Sequence, residues 1–254
     1  MQRTIKAYII HFEKRIENAL RRSLPVTRSR LVAKFLPSQS YGLDGLDLKL
    51  IEIVNRRNGY YVEIGANDGK AQSNTLALEL LHGWHGILIE PIKETHRKLL
   101  KNRNNRRNRI VRSACVSFGF PSESLTLAVS NLMSTPLGVE SDIVDPTKHA
   151  TSGLKWVTPD NSAPSLIYEE VPARPMNKIL TQAHAPQRMN LLSLDVEGAE
   201  IEVLKGIDFN FYRFDWILIE CRNIVKMKRF MASKGYALHS KLSVHDYLFS
   251  DQQE

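Results

Sequence analysis

The chain has few cysteines, no long apolar run and few aromatic residues, and each shortage removes a class of protein. Only two of its 254 residues are cysteine, Cys115 and Cys221, and neither belongs to a Cys-x-x-Cys pair or a His/Cys cluster. That excludes a disulfide framework and a structural zinc site, and predicts two buried thiols in a reducing compartment. No window approaches the roughly 18 apolar residues of a membrane span, and the N-terminus lacks the continuous apolar core of a signal peptide. A cytoplasmic protein is expected. Aromatic residues make up 8% of the chain and do not interleave with the basic cluster at 97–112. That argues against a surface for stacking nucleobases. No internal repeat is present.

What the chain does have is enough apolar content for a substantial core, 43% of its residues, at a length that suits one α/β domain with additions. Its net charge of +8 is unevenly placed. Residues 1–36 hold nine Lys or Arg against two Glu, and residues 97–112 hold eight without one carboxylate. Over 4–22, Ile5, Tyr8, Ile9, Phe12, Ile16, Ala19 and Leu20 recur at helical spacing among Lys6, Lys14, Arg15, Arg21 and Arg22. This spacing predicts an amphipathic basic helix ending before Pro25, packed on the domain or on a second subunit, or lying on an anionic membrane. A second short helix is expected over 31–36. Residues 1–37 thus read as a helical extension and 38–254 as the main domain.

The main domain is organised around Tyr60-Tyr61-Val62-Glu63-Ile64-Gly65-Ala66-Asn67-Asp68-Gly69. Tyr61, Val62 and Ile64 predict a buried strand, and Gly65 and Gly69 a tight turn with close backbone approach. Ser73-Asn74-Thr75 offers N-cap residues for the next helix. Strand, glycine turn and helix form the start of a doubly wound fold. The spacing is not the Gly-x-Gly-x-x-Gly that cradles a pyrophosphate, and Glu63 and Asp68 would repel one. A cationic nucleoside such as S-adenosylmethionine fits these acids better. Gly86-Ile87-Leu88-Ile89-Glu90-Pro91 supports a nucleoside, because a carboxylate about twenty residues beyond the turn takes ribose hydroxyls.

After a helix over Lys93 to Arg103, a strand is expected at Arg109 to Val116. Residues 118–175 hold seven of the 11 prolines and only short strand-like runs such as Ser124 to Val129. The expectation is an irregular insertion covering the acceptor site. Met189 to Leu194 then predicts a buried strand ending in Asp195 and Glu197, with a helix through Ile201, Val203 and Leu204. Phe214 to Ile219 repeats the pattern with Glu220 at its end. Ligands of open α/β sheets bind at such strand ends. A helix over Val225 to Lys234, closed by Gly235, leads to two final strands at Tyr236 to Leu242 and His245 to Phe249.

Three of these segments, Val62 to Gly69, Leu88 to Pro91 and Leu194-Asp195-Val196-Glu197-Gly198-Ala199-Glu200, together resemble the FkbM family of S-adenosylmethionine-dependent methyltransferases. The match covers roughly 38–250 in motif order. It implies a class I methyltransferase, Rossmann-like fold: a seven-stranded, mostly parallel sheet, the last strand antiparallel, with helices on both faces. It also implies an O-methyltransferase acting on a hydroxyl of a sugar, glycan or natural product. By the same resemblance the methionine portion of the cofactor lies near Glu63, Gly65, Asn67, Asp68 and Gly69, the ribose on Glu90, and the adenine near Ala114 and Cys115. Asn74 holds the turn or the cofactor carboxylate. Asp195 and Glu197 face the methyl group. A sugar hydroxyl is a poor nucleophile, so a carboxylate or a divalent metal is expected to help remove its proton. Asp195 is the first candidate for base or metal ligand, followed by Glu197 and Glu220. His82, His85, His239 and His245 rank below them, since lone histidines are more often structural.

The competing reading is a nucleic-acid methyltransferase or binder using the basic segments. The missing aromatics, and the absence of the Pro-Pro tetrapeptide used in amino methylation of bases, make nucleic acid the weaker partner.

Overall fold

Alternation within the apolar runs builds the sheet. A computed structural model describes residues 40–154 and 165–253, and the helices expected over 4–22 and 31–36 lie outside them. After α1 (Leu46–Val54), β1 (Tyr60–Ile64) leads through the glycine turn to α2 (Leu76–His82) and β2 (His85–Ile89). Helix α3 (Lys93–Asn102) follows, then β3 (Arg109–Val111). A second group intervenes: β4 (Ala114–Val116), β5 (Ser124–Val129), β6 (Thr135–Pro136), α4 (Pro146–Gly153), β7 (Ile167–Pro175) and α5 (Met176–Gln182). The chain returns with β8 (Arg188–Leu194), α6 (Glu200–Leu204), β9 (Arg213–Glu220), α7 (Ile224–Ser233), β10 (Tyr236–Lys241) and β11 (Asp246–Asp251).

The main sheet runs β10-β11-β9-β8-β1-β2-β3. Strand β11 is antiparallel to both neighbours and the remaining pairs are parallel. This is the seven-stranded class I methyltransferase sheet. Side chains that alternate along each strand divide into two cores. Tyr61, Leu88, Leu191 and Leu218 pack with Leu50 of α1, Leu78 of α2 and Leu99 of α3. Val62, Ile87, Leu192 and Ile217 face the other way, against Ile179 of α5, Val203 of α6 and Met227 of α7. Each of these side chains contributes about 1.5–3 kcal/mol by leaving water, and both faces of the sheet are covered. No helix among the described residues is long and apolar enough to cross a membrane.

Two expectations need correction. The strand expected at 109–116 is two strands: β3 stays on the main sheet beside β2, while β4 leaves it to pair with β7. The buried Ser113 sits at the parting, its Oγ donating to the Ala114 and Pro172 carbonyls. Residues 118–175 are also more regular than expected. They supply β5, β6 and β7 to a second sheet ordered β4-β7-β5-β6, and β7 is nine residues long. Pro172 and Pro175 concealed β7, because proline argues against a strand wherever the ladder needs its N–H. Helix α4 begins at Pro146, with the Asp145 side chain accepting from Lys148 N at 2.9 Å.

Candidate active site

The glycine turn after β1 lets protein elements close on each other. Gly65 has φ 80°, and a Cβ there would stand 1.8 Å from the Asp195 carbonyl oxygen. It therefore fixes the closeness of the β1 and β8 ends, where connections from the sheet diverge. A Cβ on Gly69 would strike Arg103 and Leu99 at 2.5 and 2.6 Å.

Glu63 turns inward from the same stretch. Its carboxylate accepts from Ser73 Oγ at 3.1 Å, Thr75 Oγ1 at 2.8 Å and Asn74 N at 3.2 Å, and lies 3.6 Å from Arg103. Arg103, fully buried, also donates to Glu79 at 3.0 Å and to the Tyr61 hydroxyl at 2.7 Å. This network braces the turn from behind. Asp68 caps the turn, accepting from the Lys70 and Ala71 N–H groups at 2.8 Å. Asn74 donates to Ser193 Oγ at 3.3 Å, and its enclosed Oδ1 has no partner among the described residues. Glu63, Asp68, Gly69 and Asn74 thus stand outside the lining of the cavity described next.

That cavity, about 830 Å³ including its mouth, opens at the C-terminal ends of β1, β2 and β8. Gly65, Asn67, Glu90, Ala114 and Cys115 line it with Asp195 and Glu197, and the insertion adds Leu125, Leu127, Leu132 and Pro136. Glu90 accepts from Asn67 N at 3.0 Å and Ile92 N at 2.9 Å, and burial raises its pKa to about 7. Cys115 is inert: burial pushes its thiol to about 12, and its sulfur rests 3.7 Å from that of Met176.

Across the cavity, oxygens of Asp195, Glu197 and Glu220 lie within 4.8 Å of one another. Glu197 occupies the left-handed region at φ 55°, a conformation unusual for a non-glycine residue and often found at functional sites. The turn is held by Glu200, whose carboxylate accepts from Val196 N at 3.2 Å and Gly198 N at 3.0 Å. Glu197 Oε2 is met by His149 Nε2 at 2.8 Å and Arg222 at 3.2 Å, and Arg222 also reaches Glu220 at 3.5 Å. Asp195 has no cationic partner among the described residues. Enclosure by protein, then the Glu220 and Glu197 charges, raise its pKa well above the carboxylate range. The residue is nevertheless open to the cavity's solvent, so repulsion is the durable part of that rise. Three hard oxygens could also hold a divalent ion.

His149 and Arg222 were not anticipated. His149 comes from α4, where its only sequence signal was the Asp145-Pro146 helix start; Arg222 lies two residues past Glu220. The histidines considered from sequence are elsewhere. His82 and His85 sit near the N-terminal ends of the strands, and His239 and His245 are exposed.

A family model described as the methyltransferase FkbM domain matches residues 63–238. The chain belongs to the FkbM methyltransferase family. It is an S-adenosylmethionine-dependent methyltransferase. No curated protein matches its sequence significantly. Among solved structures it is similar to Aeropyrum pernix fibrillarin with natively bound S-adenosyl-L-methionine (10% identity, 84% of each chain covered, TM-score 0.43). It is also similar to precorrin-6y C5,15-methyltransferase from Geobacter metallireducens (10%, 81% of this chain and 86% of that one, 0.42). The N-terminal domain of human METTL16 is a third (12%, 84% and 72%, 0.41). In this FkbM chain the acids on the cavity wall are Glu90, Asp195, Glu197 and Glu202, and Glu63 and Asp68 are not among them.

Proposed function

We propose that this FkbM protein methylates a hydroxyl of a sugar, glycan or sugar-containing metabolite in the cytoplasm. Residues 38–254 form the catalytic domain, and 118–175 cover the acceptor. The observation that carries this reading is Asp195: a carboxylate on the cavity wall, reached by solvent, without a cationic partner among the described residues and beside two further carboxylates. When bound, S-adenosylmethionine supplies a methyl group on a sulfonium, and what remains for the protein is alignment and removal of one proton. Asp195 takes the hydroxyl proton at its carboxylate, helped by neighbours that raise its proton affinity. Glu197, held by His149 and Arg222, is the second candidate for the base, and Glu220, paired with Arg222, the third. The same three carboxylates are the donor set for a divalent ion if the reaction uses one.

For the cofactor, the Glu90 carboxylate accepts the ribose hydroxyls, Gly65 and Asn67 flank the methionine portion, and Ala114 and Cys115 flank the adenine. Glu63, Asp68, Gly69 and Asn74 act indirectly by shaping the turn. The test is a screen with methyl-labelled cofactor against hydroxylated glycans and metabolites on one side and RNA on the other, each with and without a chelator. Label on a sugar oxygen supports the reading. Label on a base nitrogen overturns it.

A further inference from the structure

Some basic residues of the domain are paired with acids and others are not. Arg112, Arg188, Lys205, Arg213, Arg222 and Lys226 each pair with a carboxylate. Arg57, Lys98, Lys101, Arg106, Arg107 and Arg109 pair with none among the described residues, and all six are exposed.

The unpaired group is also continuous in space. Lys98 and Lys101 lie on α3, Arg106 and Arg107 on the turn after it, and Arg109 opens β3, the edge strand. Arg107 donates to the Gly83 carbonyl at 2.9 Å, which brings it to the start of β2. Arg57 stands just before β1. The combined field is felt locally: burial, then Arg57, lowers the His82 pKa, and burial, then Arg107, lowers that of His85.

Two observations select the partner. Leu100, on α3 between Arg97 and Lys101, is 47% exposed, an apolar side chain set among cations. The exposed aromatics Phe118, Tyr168 and Phe211 lie outside this stretch, so nothing in it stacks on bases. We infer that the surface formed by α3, the 103–109 turn and the start of β3 docks on anionic lipid headgroups. Helix α3 packs on the same face of the sheet as α1, which residues 1–36 and their nine Lys or Arg precede.

The full chain should be sedimented with phosphatidylcholine vesicles, with and without phosphatidylserine, in low and high salt. Binding only to the anionic vesicles, weakened by salt, is expected. Each cation near an anionic leaflet is worth about fivefold in affinity, so Lys98→Glu/Lys101→Glu/Arg106→Glu should lower it by about a hundredfold or more. Leu100→Ser, a milder change that guards against misfolding of the triple variant, should lower it severalfold. Equal binding by wild type and both variants would overturn the inference, as would no binding by wild type. Tighter binding to duplex RNA than to anionic vesicles, lost in the triple variant, would also overturn it, in favour of nucleic acid.

Discussion

His149 Nε2 stands 2.8 Å from Glu197 Oε2, joining a helix of the insertion to the end of a core strand. The contact holds a glutamate whose own backbone, at φ 55°, is in a conformation that only its surroundings maintain. Glu140 and Asp142 anchor the same segment: Glu140 pairs with Lys205 and Lys226, and Asp142 accepts from Arg222 N at 2.7 Å.

His149→Ala should therefore leave Glu197 misplaced. Displacements of about 1 Å near reacting groups cost up to about a hundredfold in rate. Turnover is expected to fall by about 10–100-fold with S-adenosylhomocysteine affinity unchanged. His149→Gln, which keeps an N–H donor, should recover most of the loss. Steady-state kinetics with calorimetry of the product complex check this.

Arg103 sits at the centre of the buried network behind the glycine turn, with both Glu63 and Glu79 in reach. Arg103→Met removes the guanidinium that faces both carboxylates in the interior, and breaking a buried pair in this way costs about 3–5 kcal/mol. The urea midpoint should fall accordingly. Arg103→Lys should recover little, because a single ammonium cannot replace the guanidinium fork.

Glu200 provides a pH test of stability. It is 1% exposed, and burial raises its pKa from 4.5 to about 8. A folded value above the unfolded one favours the protonated fold. That contribution is fully present below pH about 4.5 and is lost as the pH rises through about 8. Wild-type stability should decline across this window. Glu200→Gln, unable to ionise, should flatten the decline by up to roughly 5 kcal/mol in denaturant titrations.

Most of the core was legible in the sequence because β1, β2, β8 and β9 are apolar runs, the last three ending in acids, and a strand buried on both faces has no other way to be written. The closing pair of strands was legible too, expected at Tyr236 to Leu242 and His245 to Phe249 and found at Tyr236–Lys241 and Asp246–Asp251. The insertion was not, because Pro172 and Pro175 disguise β7, and its register with β5 depends on partners 38 to 48 residues away. At the site, Asp195, Glu197 and Glu90 were visible as strand-end acids. Whether an acid faces the cavity or the interior depends on side-chain direction, and Glu63 turned inward because the buried Arg103 comes from the far end of α3.

Glu90 links cofactor affinity to pH. Its ionised form is the stronger acceptor, and its pKa of about 7 leaves it part-protonated in neutral solution. Affinity for S-adenosylhomocysteine should rise as pH increases from about 6 to 8. Glu90→Gln should weaken binding about tenfold or more and abolish that dependence, as read by calorimetry across the pH range.

If the Asp195 carboxylate removes the proton from the acceptor hydroxyl, the Asp195→Asn variant shows it most directly. The measurement is single-turnover methyl transfer to the acceptor found by the labelled-cofactor screen, alongside cofactor affinity. Asparagine keeps the size and loses the charge, so transfer should slow by about 10²–10⁴-fold while the cofactor dissociation constant changes little. Near-wild-type transfer by Asp195→Asn, with the loss appearing instead in Glu197→Gln or Glu220→Gln, would contradict the account.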